Sequence, residues 1–305
     1  MSMRPRFVAC TAVCAVMSAG VPAARPQQAD VDPASLMTTP IVLMNGNRAV
    51  SQGTGFLFAS TTADGKADTV FLVTNYHVVT GRAPLSTQPR AGDRIRFVLH
   101  EDRADLTKAR EIELPLYDEH NEPVWVASET YPAADIVLVP LPVDVYRGLG
   151  PLVFTEAHTR ADIKIRPTSG ATLLGYPYGF YDQKHFLPVW KTGHVASEPN
   201  VDFEGRPVFL VDVSAFPGMS GSPVLAVANG VYETEDGALR SGRLWRLLGI
   251  FSSVPVVRDP RAVDRSAFPS DARAAETSLQ LGYVWKAALI ADLARNYRPK
   301  AVRTP

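Results

Sequence analysis

The sequence predicts an all-β domain, a sandwich or a pair of barrels, closed by one C-terminal helix. From Ile41 onward, short runs rich in Val, Ile, Phe and Leu recur between turn residues, the pattern of many brief strands. Twenty-five prolines and 21 glycines among 305 residues, with no repeated tripeptide, punctuate the chain into short elements and exclude a long coiled coil. Only Ala287–Asn296 carries a persuasive helical face, with Leu289, Ile290 and Leu293 on one side and Tyr297-Arg298-Pro299 ending it.

The N-terminus reads as a targeting segment. Arg4 and Arg6 precede the apolar stretch Phe7–Val21, and Val21-Pro22-Ala23 offers a small-residue cleavage site, so residues 1–23 are expected to be a signal peptide. Residues 24–39 follow as a polar, proline-bearing linker. Both cysteines, Cys10 and Cys14, fall inside the leader, which leaves the mature chain without disulfides or a thiol nucleophile. Loss of residues 1–23 removes two arginines and no acid, leaving 29 basic against 31 acidic residues. With near-zero charge and no basic run, a nucleic-acid partner is not expected. Export to the periplasm or the medium is, and no stable membrane insertion after signal removal.

The expected strands follow in order. Gly55–Phe58 and Val70–Val73 flank Asp64-Gly65 as a hairpin; then come Arg94–Leu99, Pro123–Ala127, Asp135–Pro140, Ala171–Leu174, Val208–Val213, Pro223–Val227, Leu244–Ser252 and Leu279–Lys286. Val143–Pro151 is the best internal linker and divides the strands into two similar groups, about 40–142 and about 151–286, within a domain spanning 40–297. The helix takes about 287–296, and 298–305 form a tail. Asn229–Gly242 and Asp259–Thr277 read as long surface loops.

Chemistry concentrates at Phe216-Pro217-Gly218-Met219-Ser220-Gly221-Ser222-Pro223, between two apolar runs. Glycines on both sides of Ser220 make a tight turn that exposes its hydroxyl, and Gly218 and Ser220 offer backbone N–H groups for an oxyanion. The segment alone equally suits a Gly/Ser hairpin loop. A base is needed. His100, His120, His158 and His185 lie in polar stretches and read as solvated, and His194, ending Trp190-Lys191-Thr192-Gly193, reads as capping or facing a strand, whereas His77 directly follows an apolar strand in Thr74-Asn75-Tyr76-His77-Val78-Val79. Asp135 heads the apolar run Asp135-Ile136-Val137-Leu138-Val139, where a carboxylate is costly without a partner, though a strand-start turn is its plainer role.

The order His77, Asp135, Ser220 is one of the known triad orders. At this point the chain resembles the trypsin-like, chymotrypsin-fold serine peptidases, through Gly53-Thr54-Gly55-Phe56, Thr74–Val79, Ala134–Leu138, Gly218–Pro223, Leu248–Ser252 and Gly282–Lys286 followed by a helix. It resembles the stand-alone bacterial domains of that family. The resemblance implies two packed six-stranded antiparallel β-barrels with a C-terminal helix, and a triad of His77, Asp135 and Ser220 in the cleft between them. It also implies that Ser252 lies beside the triad aspartate, that residues around Ser252–Val254 pair with substrate backbone, and that Ser214, Val254 and Gly282 line the pocket for the residue before the cleaved bond. Met219 stands where activatable relatives carry an aspartate, so no zymogen-type switch is expected. The expected function is a serine endopeptidase acting on peptides or proteins. The alternatives are a catalytically silent peptide- or protein-binding module on the same fold and hydrolysis of non-peptide esters. No cofactor or metal is expected, since neither a His-Glu-x-x-His run nor clustered cysteines occur.

Overall fold

The computed structural model describes residues 30–61, 67–149, 152–258 and 276–299. The expected signal peptide and the Asp64-Gly65 turn lie outside these residues. Seven strands form the first sheet: β1 (Thr38–Asn45), β2 (Arg48–Thr61), β3 (Ala67–Thr74), β4 (Arg94–His100), β5 (Ala109–Pro115), β6 (Val137–Pro140) and β7 (Phe154–Thr155). Six run antiparallel in the order β5-β4-β1-β2-β3-β6, and β7 joins β2 in parallel. The second sheet uses β8 (Gly170–Gly175), β9 (Val189–Val195), β10 (Val208–Asp212), β11 (Pro223–Glu233), β12 (Leu239–Phe251) and β15 (Leu281–Lys286). It closes on itself as β10-β15-β12-β11-β8-β9, while β13 (Val256–Arg258) and β14 (Glu276–Ser278) pair separately. This is the two-sheet chymotrypsin-like architecture. The first sheet has no pairing between β5 and β6 among the described residues and so remains open on that side.

Strands with apolar residues on both faces explain why the sequence shows continuous runs rather than alternation. In β2, Leu57 points into the first sheet's own core with Ile41, Leu72, Ile95 and Val137. Its neighbours Phe56 and Phe58 face the other way, into a shared core between the sheets that also holds Leu138, Leu174, Val208, Ile250 and Trp285. The barrel interior is a third cluster, with Leu173, Phe209, Val211, Val224 and Val284. Four short helices intervene, α1 (Pro33–Leu36), α2 (Tyr76–Thr80), α3 (Val143–Tyr146) and α4 (Glu156–Thr159), before α5 (Ala287–Asn296). Helix α5 lays Leu289, Ile290 and Ala294 onto the shared core, and Tyr297 stacks edge-on to Phe71 at 5.2 Å. The C-terminal helix thus bridges both sheets.

Several expectations are corrected. Pro123–Ala127 is not a strand: only Pro123 and Val126 make isolated bridges, to Tyr117 and Leu138. A proline at the run's start withholds the N–H that a ladder needs. Asn229–Gly242 is not a loop, because β11 and β12 continue through it as an antiparallel arm turning at residues 234–238. That arm buries only Thr234 and packs only Tyr232 against the barrel core, so its sequence looks like a loop. Strands β1, β5 and β9, and the two- and three-residue β7, β13 and β14, lie outside the expected set; β5 alternates charged residues on a sheet edge, and β9 fully buries only Val195. Within Val143–Pro151, Val143–Tyr146 is a helical turn, and β7 after it still belongs to the first sheet, so the barrel strands begin at β8. Of Asp259–Thr277, only Glu276 and Thr277 are described, in β14.

Candidate active site

The segment after β3 turns sharply into the single-turn helix α2, whose N-cap is Asn75. Asn75 does not cap the helix with its side chain. Its buried amide instead donates to the backbone carbonyl of Asp135 at 2.6 Å, tying α2 to the start of β6. The Asp135 carboxylate takes over the capping, with Oδ1 accepting the His77 backbone N–H at 3.0 Å. Its Oδ2 lies 2.7 Å from His77 Nδ1 and accepts the Ser252 hydroxyl at 2.6 Å. Asp135 is therefore buried with three donors, which answers the cost of placing a charge beside Ile136 and Val137. Burial pushes its pKa up, but the His77 ring, the Ser252 hydroxyl and the His77 N–H together outweigh it and hold the carboxyl below its ordinary value. With Nδ1 occupied by the carboxylate, the ring's Nε2 is left for other work. The His77 side chain is 32% exposed against 11% for Asp135.

Ser220 sits in the turn between β10 and β11, on the barrel. Gly218 and Gly221 have φ of +93° and +90°, values that side chains resist. A Cβ at Gly221 would lie 1.9 Å from the Thr54 carbonyl, and one at Gly218 would lie 2.4 Å from the Tyr176 carbonyl. Only glycine lets this turn press against β2 and the β8–β9 loop. Thr54 fastens it: its N–H donates to Ser220 O at 2.8 Å and its hydroxyl to Gly218 O at 2.8 Å, while Thr74 Oγ1 donates to Thr54 O at 2.7 Å. Within the turn, Met219, Gly221 and Ser222 donate their N–H groups to Phe216, Phe251 and Met219 carbonyls. The N–H groups of Gly218 and Ser220 have no protein acceptor among the described residues.

A cleft of about 600 Å³ is lined by His77, Asp135, Ser220 and Ser252 together, with Phe216, Phe251 and Val254 among its walls. The Ser220 hydroxyl donates to Ser252 O at 3.0 Å, and no hydrogen bond joins it to His77. A family model for the trypsin-like peptidase domain matches residues 53–232, which span the cleft's His77, Asp135 and Ser220. The chain belongs to the trypsin-like peptidase family. No curated protein matches it in sequence. Among solved structures it is similar to a serine endoprotease from Yersinia pestis, 14% identical, with 87% of this chain and 65% of that one covered and a TM-score of 0.45. This chain thus spans less than two thirds of the Yersinia protein. It is also similar to a protease from M. tuberculosis in its active form, 16% identical, covering 88% and 84% of the two chains at a TM-score of 0.42. Tobacco etch virus protease complexed with product matches at 12% identity, 86% and 80% coverage and a TM-score of 0.41.

The other residues singled out from the sequence separate. Val254 lines the cleft; Ser214 is exposed and lies outside the lining, as does Gly282, against which the Phe251 ring packs. Met219 is buried in the barrel core. Two histidines expected to be solvated are built in. His100 ends β4 and bonds through Nε2 to His185 O at 2.7 Å, and His158 completes the N-terminal capping box of α4 and meets Phe154 edge-on at 5.7 Å. Burial lowers the pKa of both, partly offset at His100 by the His185 carbonyl that its ring N–H meets. Sequence reasoning assigned no role to Thr54 or Asn75, although both stand inside the motifs that carry the resemblance. Among the described residues no helix is long and apolar enough to cross a membrane, and no cluster of three His, Cys, Asp or Glu could hold a metal.

Proposed function

We propose that this chain is an exported serine endopeptidase working through His77, Asp135 and Ser220. The observation that carries the reading is the buried Asp135 carboxylate, shared between His77 Nδ1, the His77 N–H and Ser252, in the cleft that Ser220 also lines. Rotation of the Ser220 side chain away from Ser252 O would present its hydroxyl to His77 Nε2. Ser220 Oγ then bonds to the scissile carbonyl carbon as its proton passes to Nε2, and Asp135 stabilises the imidazolium. The oxyanion falls to the Gly218 and Ser220 N–H groups. Collapse breaks the C–N bond, the leaving amine takes the proton from His77, and water repeats the sequence on the acyl-enzyme. Active-site labelling of the purified chain with a fluorophosphonate tests this directly: label should land on Ser220, vanish in Ser220→Ala and fall strongly in His77→Ala. A folded wild type that stays unlabelled, or labels elsewhere, overturns the assignment.

One observation favours the silent binding module, namely that the Ser220 hydroxyl is turned to Ser252 O. The same labelling separates the two readings, since a non-catalytic cleft leaves Ser220 unmodified. Met219 fills a core slot and cannot pair with a newly cut N-terminus, which supports activity without trimming beyond removal of residues 1–23. N-terminal sequencing of exported, active protein checks both points. Phe251 packing on Gly282 and Val254 at the wall support a narrow pocket without a carboxylate at its floor for the residue before the cleaved bond, selecting Ala, Val, Thr or Leu, in a cleft that Arg206 also lines. Asp212, on the strand leading to Ser214, is exposed. Dominant cleavage after Arg, Lys or Phe in a peptide library would show the pocket assignment wrong.

A further inference from the structure

The loop between β8 and β9 is held more firmly than an exposed loop requires. Tyr176 is buried and its hydroxyl reaches the carbonyls of Thr38 and Phe186 at 3.0 Å each; His100 holds His185 O; and the Tyr178 N–H donates to Pro217 O at 2.6 Å, next to Gly218. Despite this anchoring the loop displays aromatic rings to solvent: Tyr178 is 65% exposed and Phe180 75%. Tyr178 also occupies the left-handed region, φ +51° and ψ +22°, a conformation costly for a ring-bearing residue. Its ring lies 5.8 Å from that of Phe216, itself 42% exposed and on the rim of the cleft. A strained, anchored and solvent-facing Tyr178 beside a half-exposed Phe216 is not explained by core packing.

Position assigns it a role. If the acyl half of a substrate pairs along Ser252–Val254, then Tyr178, bonded to Pro217 O beside Gly218 and outside the lining that Val254 shares, lies beyond that half, and Phe216 on the cleft wall joins the two. We propose that Tyr178 and Phe216 form an aromatic platform that selects a large apolar or aromatic side chain within the first two residues after the cleaved bond. This rests on Ser220 as the reacting centre. Lys191 Nζ stands 4.9 Å from the Phe216 ring centroid, so a basic residue on the leaving-group side meets a like charge and is disfavoured.

The test uses the Ser220→Ala chain and peptides identical before the scissile bond, carrying Phe, Leu, Ser or Lys at the first or second position after it. Titration should show Phe and Leu bound roughly 10- to 50-fold more tightly than Ser or Lys. Tyr178→Gly, which suits the left-handed backbone, should bring that ratio close to one, and Tyr178→Phe should keep it. Equal affinities across the four peptides, or a ratio untouched by Tyr178→Gly and by Phe216→Ala, overturn the proposal. Fluorophosphonate labelling of the wild type reports separately on Ser220, so a failed platform and a failed nucleophile give different results.

Discussion

The two sheets position their share of the site by different means. The barrel has no free edge, and its contribution, the Ser220 turn, is shaped by the backbone: positive φ at two glycines and close approach of the turn to Thr54. The first sheet stays open, with β5 and β6 at its margins. Alternating charges on the outer face of β4 and β5, Arg94 and Arg96 against Glu111 and Glu113, discourage pairing of that edge with another chain. Asp135 precedes the other marginal strand, where neighbouring ladders cannot hold it on both sides. It is fastened instead by side chains, Asn75 on its carbonyl and Ser252 and His77 on its carboxylate. The Ser220 turn leans on glycine backbone geometry as well as on the Thr54 hydrogen bonds, whereas Asp135 depends on the hydrogen bonds to its own carbonyl and carboxylate.

The largest effect should come from the barrel side. Gly221→Ala forces a side chain at φ +90° and drives its Cβ into the Thr54 carbonyl, with Thr74 Oγ1 at 2.6 Å behind it. Backbone strain and overpacking each cost about 1–3 kcal/mol, so a loss of roughly 3–5 kcal/mol is expected from urea unfolding, together with lost Ser220 labelling. A loss below about 1 kcal/mol would show that the turn relaxes easily, and that backbone geometry is not what fixes it.

A smaller effect is expected on the first sheet, because a network loses one bond at a time. Ser252→Ala removes a donor to the charged Asp135 carboxylate, at a cost of about 1.5–3 kcal/mol. It should also alter the acid limb of stability. Asp135 is held below its unfolded pKa, so it stabilises the fold above that value, and the contribution disappears as pH falls through the folded value. With one donor gone the folded value rises, and the acid unfolding transition should shift to higher pH. Asn75→Ala leaves the Asp135 carbonyl without its 2.6 Å partner and should cost about 1–3 kcal/mol. Unchanged acid transitions in Ser252→Ala would mean that His77 alone keeps Asp135 ionised.

How legible each region was in the sequence follows the same division. That Ser220, His77 and Asp135 line one cleft was readable because each interrupts or borders a strongly apolar run, and because their order is informative. The side-chain network was not: nothing in Thr74-Asn75-Tyr76 says that Asn75 forgoes its usual capping role for a contact 60 residues away. Ser214 was placed by the family resemblance alone, while the cleft wall depends on how Phe251 packs over Gly282, a matter of tertiary contact. Strand β9, from Val189 to Val195, shows little apolar signal because its side chains are mostly partly exposed, and the β11–β12 arm hides its pairing behind polar residues.

That arm provides the smallest expected effect and a control for the comparison, since it belongs to the barrel sheet yet depends on ion pairs. Glu233, at the end of β11, bonds to Arg166 at 2.7 and 2.8 Å and to Lys164 at 3.2 Å. The Arg166 and Lys164 hydrogen bonds bring its pKa down to about 2. A depressed carboxylate stabilises the folded arm above its unfolded pKa, near 4.5, and the contribution is lost as pH falls toward 2. The pair is open to solvent and salt screens it, so the arm should loosen locally without global unfolding. Amide exchange, corrected for intrinsic rates, should be unchanged between about pH 7 and pH 5 for residues 231–241 and should accelerate as the pH drops below about 4, while the Ser220 turn stays protected. Glu233→Gln should show the faster exchange already at neutral pH. Simultaneous loss of protection in the arm and in the Ser220 turn would mean that the closed barrel opens as one unit, and that its rigidity is not separable from the ion pairs at its rim.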